Sequence, residues 1–246
     1  MTREFRPDYE SISLGRGDYL YLVDYYGQLK VEDVEYAKAL SESQLIVDEA
    51  QGFFVSALPG IDTIYTCRKF FGVPDGAYLY TCARIGRELP VDESHDRLGF
   101  LLGRFERPSS EFYDEYVANN HLFAEEQVKA MSPLTHNLLR GIDYKAVSRK
   151  REQNFITLDR SLGSKNELAP RMSVGPFMYP LFVQDGARVR TALQKKRIYV
   201  PTLWPYALQK DPLARDLATN VLPLPIDQRY DSTDMDYLAN EVLSLL

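Results

Sequence analysis

The chain reads as an α/β protein built on a mostly parallel sheet, and three observations predict it. Tyr19–Val23 (YLYLV) is a continuous apolar run, the pattern of a strand covered on both faces. Gln44–Val47 is a second such run, and between them Val31–Leu40 places Val31, Val34 and Ala37 at helical spacing. A strand–helix–strand order implies a right-handed crossover and parallel pairing. The third observation is where reactive side chains fall. Asp48 ends the second run and Lys69 lies just beyond a third strand, and in open α/β sheets chemistry collects where strands end.

The remaining elements follow in order. Residues 1–18 are polar and irregular, and Asp24-Tyr25-Tyr26-Gly27 ends the first strand. Asp62–Thr66 alternates and is β-branched, so it reads as the third strand, with a fourth after Pro74-Asp75-Gly76. That tripeptide suits a tight turn, because Pro fixes φ and Gly supplies a positive one. Residues 84–109 are charged and rich in Gly and Arg, a loop with a short strand or helix. A long helix is expected from Ser110 to about Met131, with Phe112, Tyr116 and Phe123 as a core-facing stripe. Ser132-Pro133 starts a short helix, and Asp143–Leu162 is a long one with Val147, Phe155, Leu158 and Leu162 on one face.

Gly163–Gly175 is a breaker-rich link, which predicts two units, 1–162 and 163–246. The second is expected to be a small α+β domain. It would hold a strand at Phe177–Val183, a helix at Gly186–Lys196 and a strand at Ile198–Val200. Asp211-Pro212 caps the next helix, Val221–Leu224 is a strand, and Thr233 caps a last helix with Leu238, Val242 and Leu245 facing in.

Composition narrows the function. A chain of 246 residues with net charge −6 and no basic block is not built to hold a polyphosphate backbone. No N-terminal apolar segment or membrane-spanning run is present, so no membrane partner is expected. Cys67 and Cys82 suggest reduced core thiols, and the reading is cytoplasmic. His95, His121 and His136 are scattered without ligand spacing, so no metal site is expected.

Asp48 and Lys69 have a joint chemical use. A lysine amine can form a Schiff base with an aldehyde cofactor, and a carboxylate can keep that cofactor's pyridinium nitrogen protonated. Phe70 and Phe71 flank Lys69, and apolar surroundings lower the pKa of an ammonium.

At these residues the chain resembles the DegT-like sugar aminotransferases, fold-type-I pyridoxal-phosphate enzymes. The family's acid lies in a D-x-x-Q run after an apolar strand, matched by Asp48-Glu49-Ala50-Gln51. Its lysine follows a hydroxyl-bearing residue and precedes a glycine turn, matched by Thr66, Lys69 and Gly76. Arg151-x-x-Asn154, Tyr179-Pro180, Pro201–Trp204 and Leu224–Tyr230 (LPIDQRY) match later family stretches, whereas Gly103-Arg104-Phe105 is a poor match to its asparagine–arginine signature. The resemblance implies a partial fold-type-I large domain, with helices on both faces of its sheet, plus a small C-terminal domain. It implies pyridoxal 5'-phosphate as cofactor, Lys69 and Asp48 as catalytic residues, and Gln51 and Thr66 as further cofactor contacts. Thr66 lies closer to Lys69 than the family's usual serine does. Arg68 reads equally as a substrate- or phosphate-facing cation and as a surface arginine.

The activity so implied is amino transfer to a nucleotide-linked keto sugar, in surface polysaccharide or amino-sugar biosynthesis. Glutamate or glutamine would be the donor, and a homodimer the assembly. Relatives carry roughly a further hundred residues upstream, about a small domain's worth. Without them the sheet is expected to show unpaired edges and exposed apolar faces, to be covered by a partner such as a second copy. Two alternatives stand beside this reading: an inactive remnant of the fold acting as a binding protein, and an unrelated α/β domain.

Overall fold

The computed structural model describes residues 1–246. Four strands form the larger sheet: β1 (Leu20–Val23), β2 (Leu45–Asp48), β3 (Asp62–Thr66) and β4 (Ala77–Tyr80), in that spatial order. β1, β2 and β3 run parallel and β4 returns antiparallel to β3. Helix α1 (Val31–Leu40) makes the crossover from β1 to β2 and packs Val34 and Ala37 on Leu22, Leu45 and Val47.

The opposite face of this sheet has no helix across it. Tyr21 and Leu79 there are 52% and 54% exposed. The continuous apolar run of β1 therefore marks a strand covered on one face, not two. Helices on both faces, implied by the resemblance, give way here to one covered face and one open one, and exposed apolar sheet surface is present as expected.

After β4 the chain forms a short helix α2 (Gly99–Leu102), then α3 (Tyr113–Glu125), α4 (Pro133–Arg140) and α5 (Tyr144–Leu162). The helix expected to reach Met131 stops at Glu125. Residues beyond it are drawn out into extended chain by paired bonds, Asp92 N–H to Ala130 O at 2.9 Å and Ala130 N–H to Pro90 O at 2.8 Å. The α3 aromatics are not core residues: among the residues of that helix only Asn119 is buried. Helix α4 starts at Ser132, whose Oγ accepts from Thr135 N–H at 3.1 Å. Asp143 caps α5 through Ala146 N–H at 2.9 Å.

The C-terminal part holds β5 (Met178–Phe182), α6 (Gly186–Lys195), α7 (Pro212–Asn220), β6 (Val221–Pro225) and α8 (Ser232–Leu243). β5 and β6 pair antiparallel and make a two-stranded sheet. Phe155, Leu158 and Leu162 of α5 pack on this sheet together with α6 and α8, forming the largest apolar cluster. The strand expected at Ile198–Val200 does not form: these residues pair with no strand, and Val200 is buried as coil. Helix α8 is capped by Asp231 rather than Thr233: its Oδ1 accepts from Thr233 N–H at 2.8 Å and Asp234 N–H at 3.1 Å. No helix is long and apolar enough to cross a membrane. Cys67 is buried, with its thiol pushed up to about 12 by burial, whereas Cys82 is exposed and not a core thiol.

Candidate active site

The turns that follow β1 and β2 are tied to each other. Asp24 N–H donates to Asp48 O at 3.0 Å, and Tyr26 N–H donates to Gln51 Oε1 at 2.7 Å. Gln51 is buried, so its side-chain oxygen is committed to the backbone of the neighbouring turn. Behind these turns lie two buried acids, Asp24 and Glu49, each acting on the other's charge, with Glu49 Oε2 buried and without a hydrogen-bond partner. Gly52 makes room for them: a Cβ there would lie 1.9 Å from Glu49 Oε2.

Asp48 ends β2 on the open face of the sheet, opposite in direction to the buried Val47 and Glu49, as strand alternation requires. Its Oδ2 accepts from Tyr21 Oη–H at 2.8 Å and its Oδ1 from Ala50 N–H at 2.8 Å. Two donors on one carboxylate hold it in one orientation.

Lys69 follows β3 in a turn anchored from below. Cys67, Phe70, Phe71 and Val73 form a buried cluster with Leu139, so the two phenylalanines point into the core and Lys69 points away from it. The residue is exposed, yet the protein around it is dense. Burial lowers the ammonium pKa, the charge of Asp48 raises it in part, and Arg68 lowers it further. Its Nζ lies 6.0 Å from the centroid of Phe177 and makes no hydrogen bond or salt bridge. The turn itself is rigid. Gly76 has φ of +105°, and Asp75 accepts from Ser132 N–H and Ser132 Oγ–H, each at 2.9 Å, tying the turn to the start of α4.

A cavity of about 300 Å³ opens beside Lys69. Thr66, Arg68, Asn120, Asp227 and Arg229 also line it. The loop after β6 reaches this place because two α5 side chains hold it. Asn154 Nδ2 donates to the carbonyls of Ile226, Asp227 and Tyr230 at 3.2, 3.1 and 3.1 Å. Arg151 Nε donates to Gln228 Oε1 at 2.9 Å, and Gln228 Nε2 donates in turn to Phe70 O at 2.7 Å. Arg151 and Asn154 are both 1% exposed, so the Arg-x-x-Asn step is a buried clamp rather than a solvated helix face.

Of the residues expected at a site, Thr66 and Lys69 share the cavity, with Arg68 beside them. Asp48 stands at the adjacent strand end, near enough for its charge to act on Lys69. Gln51 is not among the cavity residues; it supports the turn behind Asp48. Arg229 was not expected to carry chemistry. Its signal was the LPIDQRY match, which says nothing about facing a lysine so distant in sequence.

No protein-family model matches the chain, and no curated protein matches it. Solved structures do. An aminotransferase of the DegT, DnrJ, EryC1, StrS type from Brucella abortus is 14% identical with a TM-score of 0.56, over 91% of this chain and 63% of that one. S. venezuelae DesV, solved in complex with a ketimine intermediate, is 13% identical with a TM-score of 0.58, over 92% of this chain and 64% of that one. DesI, solved in the presence of its TDP-sugar product, is 12% identical with a TM-score of 0.57, over 97% of this chain and 64% of that one. The chain thus spans less than two thirds of the length of each of these proteins. At such identities the likeness is one of fold, and the fold of this chain is that of the larger part of these proteins.

Proposed function

We propose that this chain belongs to a pyridoxal-phosphate-dependent aminotransferase of the DegT type, with a nucleotide-linked keto sugar as amino acceptor and glutamate or glutamine as donor. The observation that carries this reading is the geometry at Lys69. An amine without a hydrogen-bond partner and with a lowered pKa faces a cavity, with the hydrogen-bonded Asp48 at the next strand end. These residues fit the cofactor. Lys69 would hold its aldehyde carbon, Asp48 would keep its ring nitrogen protonated, and Thr66 would lie at its periphery. When bound, the cofactor supplies an electron sink for the substrate carbon that loses a proton.

The chain's own contribution is proton handling and placement. Lys69 has its pKa lowered by desolvation, so its free amine is populated nearer neutrality than that of an ordinary lysine, and it can take a proton from the substrate carbon and return it. Asp48 stays fixed by Tyr21 and Ala50. On the division read from the sequence, 1–162 brings Lys69 and Asp48, while 163–246 brings Arg229. A homodimer in the cytoplasm completes the proposal. The fold likeness to enzymes solved with a ketimine and with a TDP-sugar product supports it.

The test is spectroscopic. Pyridoxal phosphate added to the chain is expected to give a visible band, and borohydride is expected to fix the cofactor covalently on Lys69, as read by peptide mass. Lys69→Ala is expected to lose the band with its unfolding temperature unchanged. Retention of a borohydride-fixed cofactor in Lys69→Ala refutes the assignment. The open sheet face around Tyr21 and Leu79 favours a second reading, a protein that binds partners through this fold. Absence of any fixed cofactor in the unaltered chain would select it.

A further inference from the structure

We infer that a cleft on the covered face of the larger sheet binds the ammonium group of a small amine, with Glu49 and Ser173 as its polar partners. The cleft has a volume of about 310 Å³ and lies between the start of α1, residues 54–58 and residues 171–174. It shares no residue with the cavity beside Lys69, so the site stands independently of the aminotransferase reading. Exposed Lys30, Val31 and Val174 mark its mouth, and buried Val47, Glu49 and Ser173 its floor. Val34, Leu58 and Ile61 give it an apolar wall. An apolar cleft with a few polar groups is the usual form of a small-molecule site.

Two polar atoms on these floor residues are buried and lack a partner, Glu49 Oε2 and Ser173 Oγ. Both residues are 4% exposed. Buried polar groups are almost always paired, so two orphans on one cleft mark a place for an outside donor. Each of these oxygens can accept a hydrogen bond. Gly27 accommodates Ser173 as Gly52 does Glu49: a Cβ at Gly27 would lie 2.5 Å from Ser173 Oγ. Neighbouring polar groups are already paired. Thr63 Oγ1–H donates to Ile61 O at 3.2 Å, and Arg171 Nη2 donates to Gly27 O at 2.8 Å and to Leu29 O at 2.6 Å.

The charges around Glu49 decide the sign of the ligand. Burial, and then the charges of Asp24 and Asp48, push Glu49 up to about 10, and Arg171 lowers it. Tyr65 of β3 feels the charge of Glu49 in turn, and Lys30 and Glu32 offset each other at the mouth. Acids therefore outnumber cations at the floor, and without ligand Glu49 holds a proton at neutral pH. An ammonium brings three N–H donors and the missing countercharge. As it enters, the Glu49 O–H bond breaks and the proton passes to solvent. The carboxylate then pairs with the ammonium, and Ser173 Oγ accepts a second N–H. A buried carboxylate is tolerated when it is paired in this way.

The experiment is titration calorimetry on the full chain with three probes of one length: hexylammonium, hexanol and hexanoate. Only hexylammonium is expected to saturate the cleft. Its apparent enthalpy should differ between phosphate and Tris buffers, because a proton is released. An alkylammonium stays charged to about pH 10, as lysine does, so only Glu49 changes its protonation on binding. Affinity is therefore expected to rise about tenfold per pH unit from about pH 6.5 to about pH 8.5. Glu49→Gln should weaken binding at the higher pH by about tenfold or more and remove the pH dependence, with its unfolding temperature read alongside. Ser173→Ala should weaken binding about threefold or more and keep the pH dependence, which carries the test if Glu49→Gln does not fold. Saturation by none of the probes leaves water as the occupant and overturns the site. Tighter binding of hexanol or hexanoate, pH-independent binding of hexylammonium, or unchanged affinity in a folded Glu49→Gln overturns it as well.

Discussion

Asp24 and Glu49 are 1% and 4% exposed, and nothing cationic contacts them directly; Arg171 acts only through its charge. Burial pushes Asp24 up to about 6 and Glu49 up to about 10, and the charge of Asp24 adds to the rise at Glu49. Both folded values lie above unfolded ones, so the folded chain binds more protons. The pair's contribution to stability is full below the unfolded carboxyl range and is lost as pH rises through about 6 and then about 10. Stability from this pair is therefore expected to fall by up to about 1.4 kcal/mol per pH unit across neutrality. Glu49→Gln, which needs no shared proton, is expected to flatten that slope in urea titrations near pH 6.5 and 8.5. Equal slopes in the two proteins would refute a shared proton. At the same scale, Asp48→Asn is expected to leave cofactor attachment at Lys69 intact. It should slow turnover on the order of a hundredfold, through loss of a preorganised charge; unchanged turnover in steady-state assays would remove Asp48 from the site.

At the scale of elements, α5 joins the two halves of the cavity. Its N-terminal half packs Val147 beside Phe70 and Phe71, and its C-terminal half packs Phe155, Leu158 and Leu162 on β5 and β6. Between them, Arg151 and Asn154 hold the loop that carries Asp227 and Arg229. Asn154→Ala strips one amide from three carbonyls, one buried and two partly buried, and is expected to cost about 2 kcal/mol in urea denaturation. A cost near zero would mean that the loop is held by other contacts. Helix α3 serves the same cavity differently. Its aromatics are partly exposed, and Phe123 lies under Arg68 and Arg97 while Tyr116 lies under Arg104. What reads as a core stripe is a platform for guanidinium groups.

For the whole molecule, the decisive feature is a sheet covered on one side. The covered face holds Leu22, Leu45, Val47 and Thr63, all buried, whereas the other presents Tyr21, Leu79 and the partly buried Ile64. Leu79→Lys alters a residue that buries little on folding, so its unfolding free energy is expected to stay within about 0.5 kcal/mol. Its tendency to associate, read by light scattering, should fall, because open apolar patches drive association. A large loss of stability would mean that Leu79 is part of the core.

Local and periodic features were legible in the sequence. Helix α1 and strand β3 sit where their patterns put them, Asp211 and Pro212 begin α7, and Gly76 takes the positive φ its turn demands. The family resemblance rested on short motifs, and the fold agrees with it. These features follow from neighbours along the chain, so the chain alone determines them. Which face of β1 is covered, where α3 stops, why Ile198–Val200 stays coil and which arginine meets Lys69 were decided only in three dimensions. Each depends on a partner far away in sequence: a helix that does or does not cross the sheet, a bridge from Pro90 and Asp92 to Ala130, a strand for Ile198–Val200 to pair with, or the clamp of Arg151 and Asn154 on the Arg229 loop. A residue pattern records that a side chain prefers burial or pairing, but not which distant group will supply it.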